Sequence, residues 1–186
     1  PNAYTFGVSE EKASIVLTSA LLEILEPREL MFVIGHELGH FQCKHVLYHM
    51  LAKILSGSFK FIRSHNLLLD LALKAASVTA GLAIYAWARR SEVSADRAGL
   101  ITCQSYDCAA SALAKLSAGV AKEKINIEAY LRQLEEVREQ WSGIMVQAGE
   151  ALQLHPYLPK RIEALRVFQD CHTYLDATGL QPVVGE

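Results

Sequence analysis

Five consecutive residues, His36-Glu37-Leu38-Gly39-His40, constrain this chain more than any other feature. They set two imidazoles and a carboxylate inside a run, Leu30 to Phe41, that is otherwise without charge. Pro27 followed by Arg28-Glu29 reads as a helix start, because a proline in the first turn lacks only an N–H that would have no partner there anyway. Polar side chains in a buried apolar helix are costly unless something pairs them. On a helix, positions i and i+4 project from nearly the same face about 6 Å apart along the axis, so the two imidazoles can share one metal ion. Glu37 stands beside the first imidazole, at the rim of that face. From there its carboxylate can reach a metal-activated water without binding the metal itself.

This is the H-E-x-x-H pattern of zinc-dependent proteases, whose ion takes three protein ligands and keeps a fourth position open. A third ligand is therefore needed. The metzincin continuation would put a glycine three residues and a histidine six residues after His40, but Cys43 and Val46 stand there, which excludes that class. Further on, Arg90-Ser91-Glu92-Val93-Ser94-Ala95-Asp96-Arg97 offers carboxylates at i and i+4 of a second helical stretch. Glu92 can serve as the ligand, and Asp96, one turn later, can accept the outer ring N–H of a ligating histidine and fix its tautomer. Such a pair by itself would be a solvated face with Arg89, Arg90 and Arg97 as partners; downstream of H-E-x-x-H, the metal is the better account. One Zn²⁺ per chain is expected, held by His36, His40 and Glu92.

The combination of H-E-L-G-H, then E-x-x-x-D, then His155-Pro156 followed by Arg161-Ile162 resembles the M48 peptidases, gluzincin metalloproteases that include HtpX and the CAAX prenyl proteases. The resemblance runs from Asn2-Ala3-Tyr4 to about Phe168. It implies an α+β, mostly α, zincin-like fold with a small N-terminal sheet and an active-site helix carrying the motif. It further implies that Asn2, Ala3 and Tyr4 begin an edge strand on which substrate backbone pairs, that His155 hydrogen-bonds the developing oxyanion, and that Arg161 assists in the cleft. Each has a plainer rival: an ordinary strand, a loop-to-helix junction, a solvated charge at Lys160-Arg161.

With 186 residues, 51% of them hydrophobic, the chain can bury the core of a single domain spanning residues 1–186. A net charge of -2, without a basic stripe and interleaved aromatics, argues against nucleic acid as a partner. A peptide or protein substrate remains, with the oligomeric state unread. Cys43, Cys103, Cys108 and Cys171 have no C-x-x-C spacing and read as buried free thiols. The chain opens at Pro1 without a signal peptide, which reads as a fragment or processed product, cytoplasmic or membrane-associated in preference to secreted.

The coarse pattern gives strands near Asn2 to Val8 and Ser14 to Leu17 and a helix over Ser19 to Leu25. The motif helix follows, from Arg28 to Lys53, with His45 and His49 as surface residues toward its end. Leu67 to Ala88 is an apolar helix interrupted by Asp70 and Lys74, so only fourteen uncharged residues follow, against the roughly 20 that a spanning helix needs. A buried or membrane-dipping helix fits it better than a span, and peripheral membrane association stands beside that reading. The Glu92 helix continues from it or follows a kink and ends near Cys103. Helices from a Ser105 cap to Ala118, from Asn126 to Gln140 and from Pro159 to Asp170 complete the chain, with 142–153 as a loop. Two non-peptidase alternatives remain: an inactive zinc-binding regulatory homologue, against which the intact Glu37 speaks, and a helical adaptor using Leu67 to Ala88 to bind a membrane or partner.

Overall fold

The computed structural model describes residues 2–6, 14–45, 67–119, 126–140 and 157–180. Strands β1 (Ala3–Phe6) and β2 (Ser14–Leu17) form an antiparallel pair in the register Ala3↔Leu17 to Phe6↔Ser14. The Thr18 N–H donates to the Asn2 carbonyl at 3.1 Å. By antiparallel alternation the peptide groups of Tyr4 and Phe6 then face β2, and those of Ala3 and Thr5 point to the opposite edge. Among the described residues no third strand covers that edge.

After α1 (Ser19–Ile24) comes α2 (Pro27–Gln42), whose start follows the sequence signals. Pro27 opens it, and the Glu29 carboxylate reaches back to accept the Glu26 N–H at 2.8 Å, satisfying a donor the helix would otherwise leave unpaired. The expected continuation to Lys53 is not seen. The helix ends at Cys43, and Lys44 adopts a left-handed φ of 56°. No glycine marks this break, which is why hydrophobic patterning carried the helix through it. His49 and residues 46–66 lie outside the described residues.

Helix α3 (Leu67–Cys103) joins the expected apolar helix and the Glu92 helix into one unbroken rod of 37 residues. Its buried residues, Ala88, Ser91, Glu92, Ala95, Asp96, Gly99, Leu100 and Cys103, recur at three- and four-residue intervals and form a single stripe. Toward its N-terminal end the helix exposes its apolar side chains: Leu67, Leu68, Leu69, Leu71, Val78 and Leu82 are all exposed. Of the two readings, buried or membrane-dipping, burial within the described residues is thus corrected. By length and composition α3 could cross a membrane.

The buried stripe of α3 lies against α2 at close range, made possible by side chains that are missing. A Cβ on Gly35 would stand 2.2 Å from Thr102 Oγ1, one on Gly39 2.8 Å from the Ala98 Cβ, and one on Gly99 2.7 Å from the Phe32 carbonyl. Helices α4 (Tyr106–Ala118), α5 (Ile127–Gln140) and α6 (Leu158–Gln169) follow, together with a short α7 (His172–Thr178) that patterning did not reveal. As expected, Ser105 caps α4, its hydroxyl accepting the Cys108 N–H at 3.3 Å. Phe32, Leu21, Leu100 and Leu165 are fully buried at the centre of the core, and Ala109, Ala110 and Leu113 of α4 fill in around them.

One buried ion pair ties α4 to the start of α2: Lys115 Nζ donates to Glu29 Oε2 at 2.8 Å, and Ser111 Oγ to Glu29 Oε1 at 2.6 Å. Burial pushes the Glu29 carboxyl up, but these hydrogen bonds and the Lys115 charge outweigh it and hold the group below the usual carboxylate range. All four cysteines are free thiols, yet only Cys103 is buried; Cys43 and Cys171 are exposed.

Candidate metal centre

The glycine-lined approach of α2 to α3 decides what meets at their crossing. On α2, His36 and His40 turn their Nε2 atoms toward each other at 3.1 Å. From α3 the Glu92 carboxylate closes the triangle, with Oε1 3.3 Å from His40 Nε2 and Oε2 3.8 Å from His36 Nε2. Two imidazole nitrogens and a carboxylate oxygen lie within 4.8 Å of one another. Tetrahedral zinc ligands at about 2.0–2.1 Å stand roughly 3.3 Å apart, so this donor set has the chemistry and the spacing for that ion.

The tautomer agrees. His36 Nδ1 lies 2.9 Å from Asp96 Oδ1, so a proton on Nδ1 leaves the Nε2 lone pair aimed into the triangle. Asp96 is only 1% exposed, and Arg161, reaching in from α6, grips it with both arms: Nε to Oδ2 at 2.7 Å and Nη2 to Oδ1 at 2.6 Å. Burial raises the Asp96 carboxyl; the Arg161 charge and its hydrogen bonds, with a further contribution from His36, bring it below its ordinary value. The same Arg161 Nη2 lies 3.7 Å from Glu92 Oε2, so one guanidinium serves both acids of α3. Arg161 was expected as a helper in the cleft, near His155; its contacts are with Asp96 and Glu92. His155, the expected oxyanion donor, lies outside the described residues.

Glu37 is buried beside the triangle, and its partner comes from β1. The Thr5 hydroxyl donates to Glu37 Oε2 at 2.8 Å and lies 3.2 Å from the Glu37 carbonyl oxygen. Sequence reasoning placed the strand that begins Asn2-Ala3-Tyr4 at the cleft, with Thr5 in it, but gave the Thr5 hydroxyl no role, since no motif marks it. A period-2 alternation could have put Thr5 on the face of Ala3, toward α2.

His45 corrects a second expectation. It is not a surface residue on a continuing helix: it is 7% exposed, and its Nδ1 lies 3.1 Å from His40 Nδ1. The break at Cys43-Lys44 folds it back against the motif, and the Trp87 ring of α3 packs on it edge-on at 5.8 Å. Cys43, expected to be a buried thiol, is exposed, with its sulfur 3.9 Å from Ser94 Oγ.

Residues 1–168 match the sequence model of Peptidase family M48. The chain is 32% identical over 135 residues to the "Plastoglobule-localized metallopeptidase 48, chloroplastic" of Arabidopsis thaliana, an alignment covering 72% of this chain and 37% of that protein. It is 30% identical over 131 residues to a "Protease HtpX homolog" of Ralstonia nicotianae, covering 62% of this chain and 46% of the relative. The chain therefore spans less than half the length of these curated relatives. No solved structure matches it.

Proposed function

Because the chain belongs to Peptidase family M48, we propose that residues 1–186 form the catalytic domain of a zinc-dependent endopeptidase acting on peptide or protein substrates. The observation that carries this reading is the triangle of His36 Nε2, His40 Nε2 and the Glu92 carboxylate with Glu37 buried beside it. Zinc held by those three side chains would supply a Lewis acid that polarises a peptide carbonyl and acidifies water toward neutral pH.

The protein's own groups supply the rest. Glu37 accepts the proton of the attacking water and passes it to the leaving amine, its carboxylate aimed by the Thr5 hydroxyl. Asp96 holds His36 by Nδ1, and Arg161 keeps Asp96 ionised, so the ligand's lone pair stays directed. His155 donates a hydrogen bond to the oxyanion, an assignment supported by the M48 resemblance. The outward peptide groups of Ala3 and Thr5 offer substrate backbone an edge to pair with, a mode that gives affinity with little sequence preference.

The exposed leucines of α3 favour association with a membrane over a freely soluble life, since an apolar surface of this extent is costly in water. That speaks for a membrane-associated catalytic domain.

Measuring zinc content after exhaustive dialysis, with casein cleavage by the parent and by Glu37→Gln, tests the proposal. The parent holds close to one zinc per chain; the variant keeps its zinc while cleavage falls by about 10²–10⁴-fold. A chain without zinc leaves a helical adaptor, and a zinc-loaded parent without cleavage leaves an inactive homologue.

A further inference from the structure

The two residues that end α2 decide where His45 goes. With Lys44 at a φ of 56°, the backbone turns back and delivers His45 against the ring of His40, the centroids 5.2 Å apart and the planes at 73°. Trp87, about one turn and a half before Glu92 on α3, packs edge-on with His45 at 84°. The imidazole is therefore in contact with both the motif helix and the helix that brings the third donor, Glu92.

The direction of the His40–His45 contact follows from the triangle. His40 presents Nε2 to His36 and Glu92, so binding a metal there leaves the His40 proton on Nδ1. That N–H points at His45 Nδ1, 3.1 Å away.

We propose that His45 is a positioning residue of the metal centre: as a neutral imidazole protonated on Nε2, it accepts the His40 Nδ1–H and fixes that ligand's tautomer and ring orientation. The inference rests on His40 being a zinc ligand. It assigns His40 the kind of support that Asp96 gives His36, with a different chemistry. Glu37, Glu92 and Asp96 already bring three carboxylates to the crossing, and Arg161 with a divalent ion balances them. A neutral acceptor behind His40 adds direction without another charge to bury.

The test uses the full chain, with zinc affinity read by competition against a chromogenic chelator and fold by thermal unfolding of the zinc-free protein. His45→Phe keeps a ring against Trp87 and removes the acceptor; His45→Asn puts an amide oxygen where Nδ1 was. The expected result is a 10–100-fold loss of zinc affinity for His45→Phe, with affinity kept within about threefold of the parent in His45→Asn. Zinc-free unfolding temperatures should not follow that order. In the zinc-loaded parent, the ¹⁵N shifts of His45 should report a bare Nδ1 and a protonated Nε2, a readout that needs no variant to fold. A Phe variant that binds zinc as tightly as the parent, an Asn variant as weak as Phe, or the opposite tautomer overturns the proposal. His40→Ala separates the two levels: if it loses zinc while His45→Phe does not, the ligand set stands and only the role of His45 falls. If it retains zinc, both fall.

Discussion

Asp96→Asn removes one negative charge from the most enclosed carboxylate of the centre and so separates two effects that the geometry couples. Asp96 is 1% exposed and takes both arms of Arg161 at 2.6 and 2.7 Å, as well as His36 Nδ1 at 2.9 Å. Breaking a buried ion pair costs about 3–5 kcal/mol, and because asparagine still offers an oxygen and Arg161 keeps its longer contact with Glu92, the lower end of that range applies. Losing the carboxylate behind His36 should weaken zinc about 10–100-fold, which corresponds to roughly 1.4–2.7 kcal/mol. The ion-pair effect is the larger, so most of the instability must appear without metal. Urea unfolding in excess chelator reads the first effect and chelator competition reads the second. A double variant, Asp96→Asn with Arg161→Met, should recover part of the zinc-free stability, since the guanidinium that lost Asp96 is gone, though Glu92 loses its longer contact with it; none of the zinc affinity should return. If zinc-free Asp96→Asn unfolds within about 1 kcal/mol of the parent, the buried pair does not exist in solution and the account of the centre's second layer is wrong.

Gly39→Ala, which in a free helix would stabilise by up to about 1 kcal/mol, should here destabilise by about 1–3 kcal/mol and weaken zinc binding; urea unfolding and chelator competition give the sign. The reason is that its Cβ would meet the Ala98 Cβ at 2.8 Å and the Ala95 Cα at 3.1 Å, pushing Glu92 away from the histidines. Glu29→Gln should lower stability at neutral pH by leaving Lys115 buried without its partner. Since the folded carboxyl lies below its ordinary value of 4.5, that stabilisation is present above this pH and is lost as pH falls through the lowered folded pKa. Parent and variant stabilities should therefore converge in acid, and a gap that persists unchanged would exclude the ion pair as its cause. Ala3→Pro removes an outward N–H without touching the Thr5–Glu37 contact, so KM should rise more for long peptides than for short ones, with zinc retained. Equal kinetics on both would show that substrate pairs elsewhere.

The pieces of the site were legible because each obeys a local rule. His36 and His40 share a face through the helical repeat, Glu92 and Asp96 do the same one helix later, and Pro27 and Ser105 start helices by the hydrogen bonds they lack or supply. Strand β2 and the ends of α4 were readable for the same reason. What local rules could not provide is which helices meet and how closely. Gly35, Gly39 and Gly99 look like weak points in helices until the partner backbone is in place; then they are the reason that Glu92 can stand 3.3 Å from His40. Thr5 reaches Glu37 across 32 positions and Arg161 reaches Asp96 across 65, separations at which no periodicity carries information. The reversal at Lys44 was equally invisible, because a left-handed residue without glycine is stabilised by what packs on either side of it. The donor types and the helices that carry them could be read from the chain, since these depend on chemistry within a few residues. The inward turn of His45 and the service of Arg161 to two acids came to light in the folded chain alone. Those outcomes depend on close packing between segments far apart in the chain, where a shift of one ångström makes or breaks the contact.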